Sequence, residues 1–212
     1  MPFGLGKSYT RCLWYRLPTP FEVCVMRIFI DCEFNSMNGQ LLSMALVPLN
    51  SKAPQFYQEL QIHEPIDPWV AEHVIPHMHK EKVDVPGFQC LLEGYLRQFR
   101  QVDLVCDWPE DSSYFTRILI TGPGTRINTP PLTIEIRRDL DAVSEVPHHA
   151  LYDAIAMRDL ALEDGLFILD PLQDEVERSG VHPLRLDEIV YVSESDFLKG
   201  NTKDKDHGQK SS

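Results

Sequence analysis

At 212 residues with 43% hydrophobic content, the chain can bury one sizeable core, and its composition excludes a collagen repeat and wholesale disorder. A formal charge of −12 excludes a generic nucleic-acid coat, because affinity for phosphate comes from Lys and Arg. It leaves room for an enzyme that holds divalent cations in an acidic pocket. No apolar run reaches the ~20 residues of a membrane-spanning helix, so no membrane partner is expected and a cytoplasmic location is.

Cys12, Cys24, Cys32, Cys90 and Cys106 are odd in number and form no CxxC pair. That pattern predicts reduced, mostly buried thiols rather than a disulfide framework or a zinc ribbon.

Residues 1–25 read as an irregular leader broken by Pro18 and Pro20. Met26 opens a far more regular segment and is a candidate translation start. MRIFIDCEF predicts a buried strand, NSMNG a turn, and LLSMALVPL and QFYQELQI two further strands, which together make a meander. DPWVAEHVIPHM predicts a short helix with Asp67 as its cap, Pro68 at its first position and its end near Pro76. PGFQCLLEGYLRQF places Phe88, Leu91, Leu92, Tyr95 and Phe99 at helical spacing. VDLVC is a short buried strand, DSSYFTRILI a helix, TGPGTRINTPP a loop, and PHHALYDAIAMRDLAL a helix with a polar start. Residues 163–198 read as a C-terminal extension packing on the domain, with strand-like runs in GLFILDPL and DEIVYVSESDFL. Residues 199–212 have the composition of a disordered tail.

Three stretches carry chemistry. In DCE, strand alternation points Asp31 and Glu33 one way and Cys32 the other. Two carboxylates at the end of a buried strand are costly without a neutralising cation, and Mg²⁺ or Mn²⁺ suits carboxylate oxygens. A lone DxE reads more readily as a strand reaching solvent. In VDLVCDWPEDSSYF a strand ends in a proline turn that sets Asp111 at a helix start, where capping is its ordinary role. In HHALYDA, His148 stands just before a helix and Asp153 lies at or beside the apolar face of Ala150, Leu151, Ala154, Ile155 and Met157.

In this order, DCE, DWPED and HHALYDA resemble the motifs of the DEDDh 3′–5′ exonucleases, over residues 26–162. The stretches MRIFIDCEF and WVAEHVIPH are most similar to the bacterial exoribonucleases of the ribonuclease AS type. The resemblance implies an α/β, ribonuclease H-like fold, a mixed central β-sheet flanked by helices. It implies two Mg²⁺ or Mn²⁺ ions held by Asp31, Glu33, Asp111 and Asp153, with His148 as general base. The implied partner is the 3′ end of single-stranded RNA or DNA, RNA favoured, and related enzymes are often homodimers.

The match has departures. Glu110 replaces the usual apolar residue before the middle acid, so Asp107 stays a rival for Asp111. His149 stands where Arg is frequent, and the spacing to Ala150 and Asp153 favours His148 over it. Phe34 is a candidate to stack on the terminal base, with a place in the core as its other reading; Trp108 is a second stacking candidate. Arg117, Arg126, Arg137 and Arg138 are candidate phosphate contacts, each equally readable as part of a solvated face. His73 and His77 flank Pro76, a poor arrangement for a helix-borne ligand pair, and no third ligand completes a zinc set with His79.

The activity expected is stepwise release of nucleotides from a 3′ end. The alternatives are a DNA-directed exonuclease, a degrader of very short oligonucleotides, and a non-catalytic module that grips a nucleic-acid end or a protein.

Overall fold

The computed structural model describes residues 25–167. The expectations for the leader before Val25, for the tail, and for most of the C-terminal extension fall outside these residues. The elements run β1 (Val25–Phe34), β2 (Leu41–Pro48), β3 (Phe56–Leu60), α1 (Pro68–His73), β4 (Lys82–Val83), α2 (Val85–Leu96) and β5 (Gln101–Cys106). Then follow α3 (Pro109–Ile118), β6 (Ile120–Gly122), β7 (Thr125–Arg126), β8 (Leu132–Ile136) and α4 (Ala150–Glu163).

Six strands form one mixed sheet in the order β4-β3-β2-β1-β5-β8. β1, β2 and β3 pair antiparallel as a meander, while β5 joins β1, and β8 joins β5, in parallel. The α/β class with a mixed sheet flanked by helices is as expected, and it is compatible with a ribonuclease H-like fold. Among the described residues no helix is long and apolar enough to cross a membrane.

β1 and β2 are buried on both faces, which is why they read as continuous apolar runs rather than alternating ones. One face carries Phe29, Ala45 and Val47 against α4, whose Ala150, Ala154, Met157 and Ala161 are buried there. Alanines at the contact let the helix axis approach the sheet closely. On the other face, Phe56 meets Phe88 and Tyr95 of α2 at ring distances of 5.6 and 5.4 Å. The Tyr95 hydroxyl donates to the Leu46 carbonyl at 3.4 Å.

One carboxylate sits deep beneath the edge of this sheet. Glu59 of β3 has no exposed surface. It is paired with Lys82 Nζ at 3.1 Å and accepts from the Tyr57 hydroxyl and the Lys80 N–H, both at 2.9 Å. A buried charge needs such partners, and here they also fasten the two-residue strand β4 to the sheet.

The structure corrects the sequence reading in several places. TGPGTRINTPP holds a short hairpin, β6–β7, and LTIEI after it forms β8 at the sheet edge. Leu132, Ile134 and Ile136 do alternate with polar residues, but the Pro130–Pro131 pair before them reads as a breaker. Helix α3 begins at Pro109, so Asp111 lies inside its first turn and does not cap it; the cap position is Trp108, which makes no side-chain capping bond. Cys32 and Cys106 are free and buried, but Cys90 is disulfide-bonded, against the expectation of reduced thiols throughout.

The close seat of α4 yields a prediction. Ala154→Leu adds volume where no space exists, so it should destabilise the fold by roughly 1–3 kcal/mol. Denaturant unfolding measures this, and Ala156→Leu on the less buried flank of the same helix should cost much less.

Candidate functional site

Asp31 and Glu33 project from the same face of β1 near its end. Their cross-strand partners on β2 are Ala45 and Ser43, small side chains that leave space above the sheet. The register between β1 and β2 slips between Glu33 and Phe34, a bulge of the kind that re-aims side chains at strand ends. The chain then turns sharply through residues 35–40. A Cβ on Gly39 would come within 1.6 Å of the Asn35 carbonyl, so only glycine fits.

Asp107 and Asp111 come from the turn after β5 and the first turn of α3. Asp111 is buried; its Oδ1 accepts from the Cys32 N–H at 3.2 Å and its Oδ2 has no partner. The carboxylate is therefore tied to β1 by one oxygen and offers the other to the cleft. A buried acceptor left bare is uncommon and calls for an explanation.

α4 delivers the third group. His149 is its N-cap, with Nδ1 accepting from the Leu151 N–H at 3.2 Å. The same ring stacks on Tyr57 at 4.8 Å, and burial holds its pKa below the ordinary imidazole value. The His149 N–H donates to Asp153 Oδ2 at 3.1 Å, which turns that carboxylate toward the strand ends. His148 has φ +64°, a costly left-handed conformation for a non-glycine residue. It leaves the imidazole exposed on the cleft while its neighbour is pinned into the domain. Of the doubled histidine, one residue caps and the other faces the site.

These groups share a cleft of about 750 Å³, lined by Asp31, Glu33, Asp107, Asp111, His148 and Asp153 among others. Ligand oxygens of Asp31, Asp107 and Asp111 lie within 4.8 Å of one another, and so do those of Asp31, Glu33 and Asp153. Asp31 is common to both triads. The crowding shows in the protonation equilibria. Burial, then the neighbouring carboxylates Asp111, Glu33 and Asp153, push Asp31 far above the usual carboxylate range. Burial first and adjacent acids second raise Glu33 and Asp111 to about 8 each, and burial also raises Asp107 and Asp153.

Only cations can keep such a set ionised at neutral pH. The donors in both triads are all carboxylate oxygens, with no thiolate or imidazole, which fits a hard divalent ion and not zinc. An ion held there would also give the bare Oδ2 of Asp111 a partner. Both Asp107 and Asp111 sit beside Asp31, so both rivals for the middle position are present. Asp111 is the more buried and the less satisfied of the two.

The walls of the cleft are aromatic. Phe34 lines it and stacks on Tyr114 at 4.7 Å. Trp108 lines it too, with the Arg138 guanidinium 4.4 Å from the ring centre. Arg117 is exposed in the last turn of α3 and is not part of the lining; Arg126 donates to the Ile127 carbonyl and Thr129 on the β6–β7 side; Arg137 is ion-paired with Asp139 and Glu135.

Trp69 was not singled out from the sequence. It lines the cleft, stacks on His73 at 4.5 Å and meets the His148 ring edge-on at 4.9 Å. Its place is prepared by Asn35, which accepts from the Asp67 N–H at 2.8 Å and donates to Glu64 and to the Pro65 carbonyl at 2.9 Å. Asp67 in turn accepts from the Trp69 N–H at 2.9 Å. A sequence signal existed: Val70 and Val74 form the apolar stripe of this short helix, which leaves a large aromatic off the stripe.

A pH dependence follows. Carboxyl groups whose pKa is raised by folding contribute stability that is complete below their ordinary pKa and is lost as pH rises through the raised one. The metal-free protein should therefore melt at steadily lower temperature as pH climbs from the ordinary 4.5 of Glu33 through about 8. Asp111→Asn should flatten that fall, and Mn²⁺ should raise the melting temperature more at the alkaline end than at the acidic end. Calorimetric scans in chelator and in Mn²⁺ measure both. No protein-family model matches the chain, and no curated protein matches it.

Proposed function

We propose that this protein is a metal-dependent 3′–5′ exonuclease acting on single strands, with RNA the favoured polymer. The observation that carries the reading is the shared vertex at Asp31: two all-carboxylate triads in one open cleft, with His148 exposed beside them. The triads would hold two Mg²⁺ or Mn²⁺ ions through Asp31, Glu33, Asp153 and Asp111, with Asp107 beside Asp111. Such ions supply charge neutralisation at the phosphoryl group and make water more acidic. The preference for RNA comes from the motif resemblance, and the cleft itself is compatible with either sugar.

The chain's own groups have distinct tasks. The carboxylates orient and fix the charge of the site, and their own repulsion makes the pocket hostile to phosphate until cations enter. His148 takes the proton of the attacking water, as an exposed imidazole in the cleft lining can. The water oxygen bonds to phosphorus, the bond from phosphorus to the 3′ oxygen breaks, and that oxygen takes a proton from solvent. Trp69 and Phe34 offer aromatic surfaces for bases, and stacking discriminates little between them.

Incubation of 5′- and 3′-labelled RNA and DNA with and without Mn²⁺, beside Asp31→Ala, tests this. Stepwise shortening from the 3′ end that disappears in the variant is expected. A folded wild-type protein that shortens neither polymer sinks the reading in favour of a binding module. His148→Ala should lower kcat by about 10²–10⁴-fold. Asp111→Ala should abolish activity while Asp107→Ala leaves a measurable rate; the reverse result reassigns the middle ligand.

A further inference from the structure

We infer that Trp108 and Arg138 form one subsite for the penultimate nucleotide, the residue that becomes the new 3′ end after cleavage. This rests on the exonuclease reading above. The two carboxylate triads meet at Asp31, so the scissile phosphate belongs over that residue. His148 interacts with Asp153, in the triad completed by Asp31 and Glu33. In an in-line displacement, water enters on the side of its base and the leaving oxygen departs on the other side. The other side is the triad of Asp31, Asp107 and Asp111. Trp108 adjoins it, next in the chain to Asp107 and lining the same cleft. The departing 3′ oxygen carries the penultimate nucleotide, which is thereby brought to Trp108.

The pair has the chemistry to receive it. Trp108 is 47% exposed in the cleft wall, so its ring is accessible to a ligand. The Arg138 guanidinium lies over the ring at 4.4 Å, and its Nη1 donates to the Asp107 carbonyl at 2.7 Å. That bond and the cation–π contact hold a long side chain in place. Arg138 covers part of the indole, and the ring's exposed remainder in the cleft offers a surface on which a base can stack. Among the described residues Arg138 makes no ion pair with a carboxylate, whereas neighbouring Arg137 is bound to Asp139 and Glu135. Its remaining N–H donors suit the phosphate that joins the penultimate nucleotide to the one before it.

The experiment uses the full chain in Mn²⁺ with short RNA oligomers that are either intact or abasic at the penultimate position. Wild type should show a KM about tenfold higher on the abasic strand, the scale of one lost base–aromatic stack. Trp108→Ala should show that higher KM on both strands, with the loss in KM rather than kcat, and Trp108→Phe should restore discrimination. Arg138→Gln should reduce the slope of log kcat/KM against log salt by about 0.7, as for one phosphate contact on a single strand. If wild type degrades both strands with the same KM, the subsite is wrong while the exonuclease reading survives. If wild type degrades neither, the exonuclease reading falls and takes the subsite with it.

Discussion

Mutual repulsion among acids at the end of one buried strand governs this molecule. Asp31 has Glu33, Asp111, Asp153 and Asp107 as charged neighbours, and burial strengthens every one of those repulsions. A hydrophobic core alone would expel such a cluster to solvent. Its presence means that the fold places the acids by other bonds, and the arrangement is one that could hold a cation.

Two hydrogen bonds and one close packing contact do this. The Cys32 N–H holds one oxygen of Asp111 against β1. The His149 N–H holds one oxygen of Asp153 at the start of α4. α4 itself can reach the strand end because buried alanines, not larger residues, face Phe29, Ala45 and Val47. The tether on Asp111 uses one carboxylate oxygen and leaves Oδ2 without a hydrogen-bond partner. The tension is local, and the left-handed backbone at His148 belongs to the same corner.

The rest of the cleft suits an acidic chain that, on the proposed reading, would have to meet a polyanion. Among the described residues its lining holds no Lys or Arg; its walls include Phe34, Trp69 and Trp108, with the Arg138 guanidinium laid on one of them. Stacking and metal-held phosphate would then replace the dense Lys and Arg contacts of sequence-independent binders. Under the proposed function such a site would grip an end rather than a duplex or a long tract.

Local patterning in the sequence was enough for the strands β1 to β3, the helices α1 and α2, and the three acidic motifs, because apolar period and capping residues act over a few positions. Asp67 before Pro68 specified its helix start through a bond two residues long. Trp69 was not legible as part of the site, since its place arises from a neighbour 79 positions away, His148; Arg138 was legible only as one of four candidate phosphate contacts, and its seat on Trp108, 30 positions away, is what sets it apart. The edge strand β8 was hidden for a related reason: its pairing with β5 lies across the chain, and its exposed isoleucines lack a core imprint. The two histidines at 148 and 149 show the division most plainly. Spacing to Asp153 marked His148, but only the packing of His149 on Tyr57 and its capping bond to Leu151 separated the residue that builds from the one that faces the cleft. Sequence determines which groups can do chemistry; the tertiary structure decides which of them meet, because distance in space is set by packing between elements and not by position along the chain.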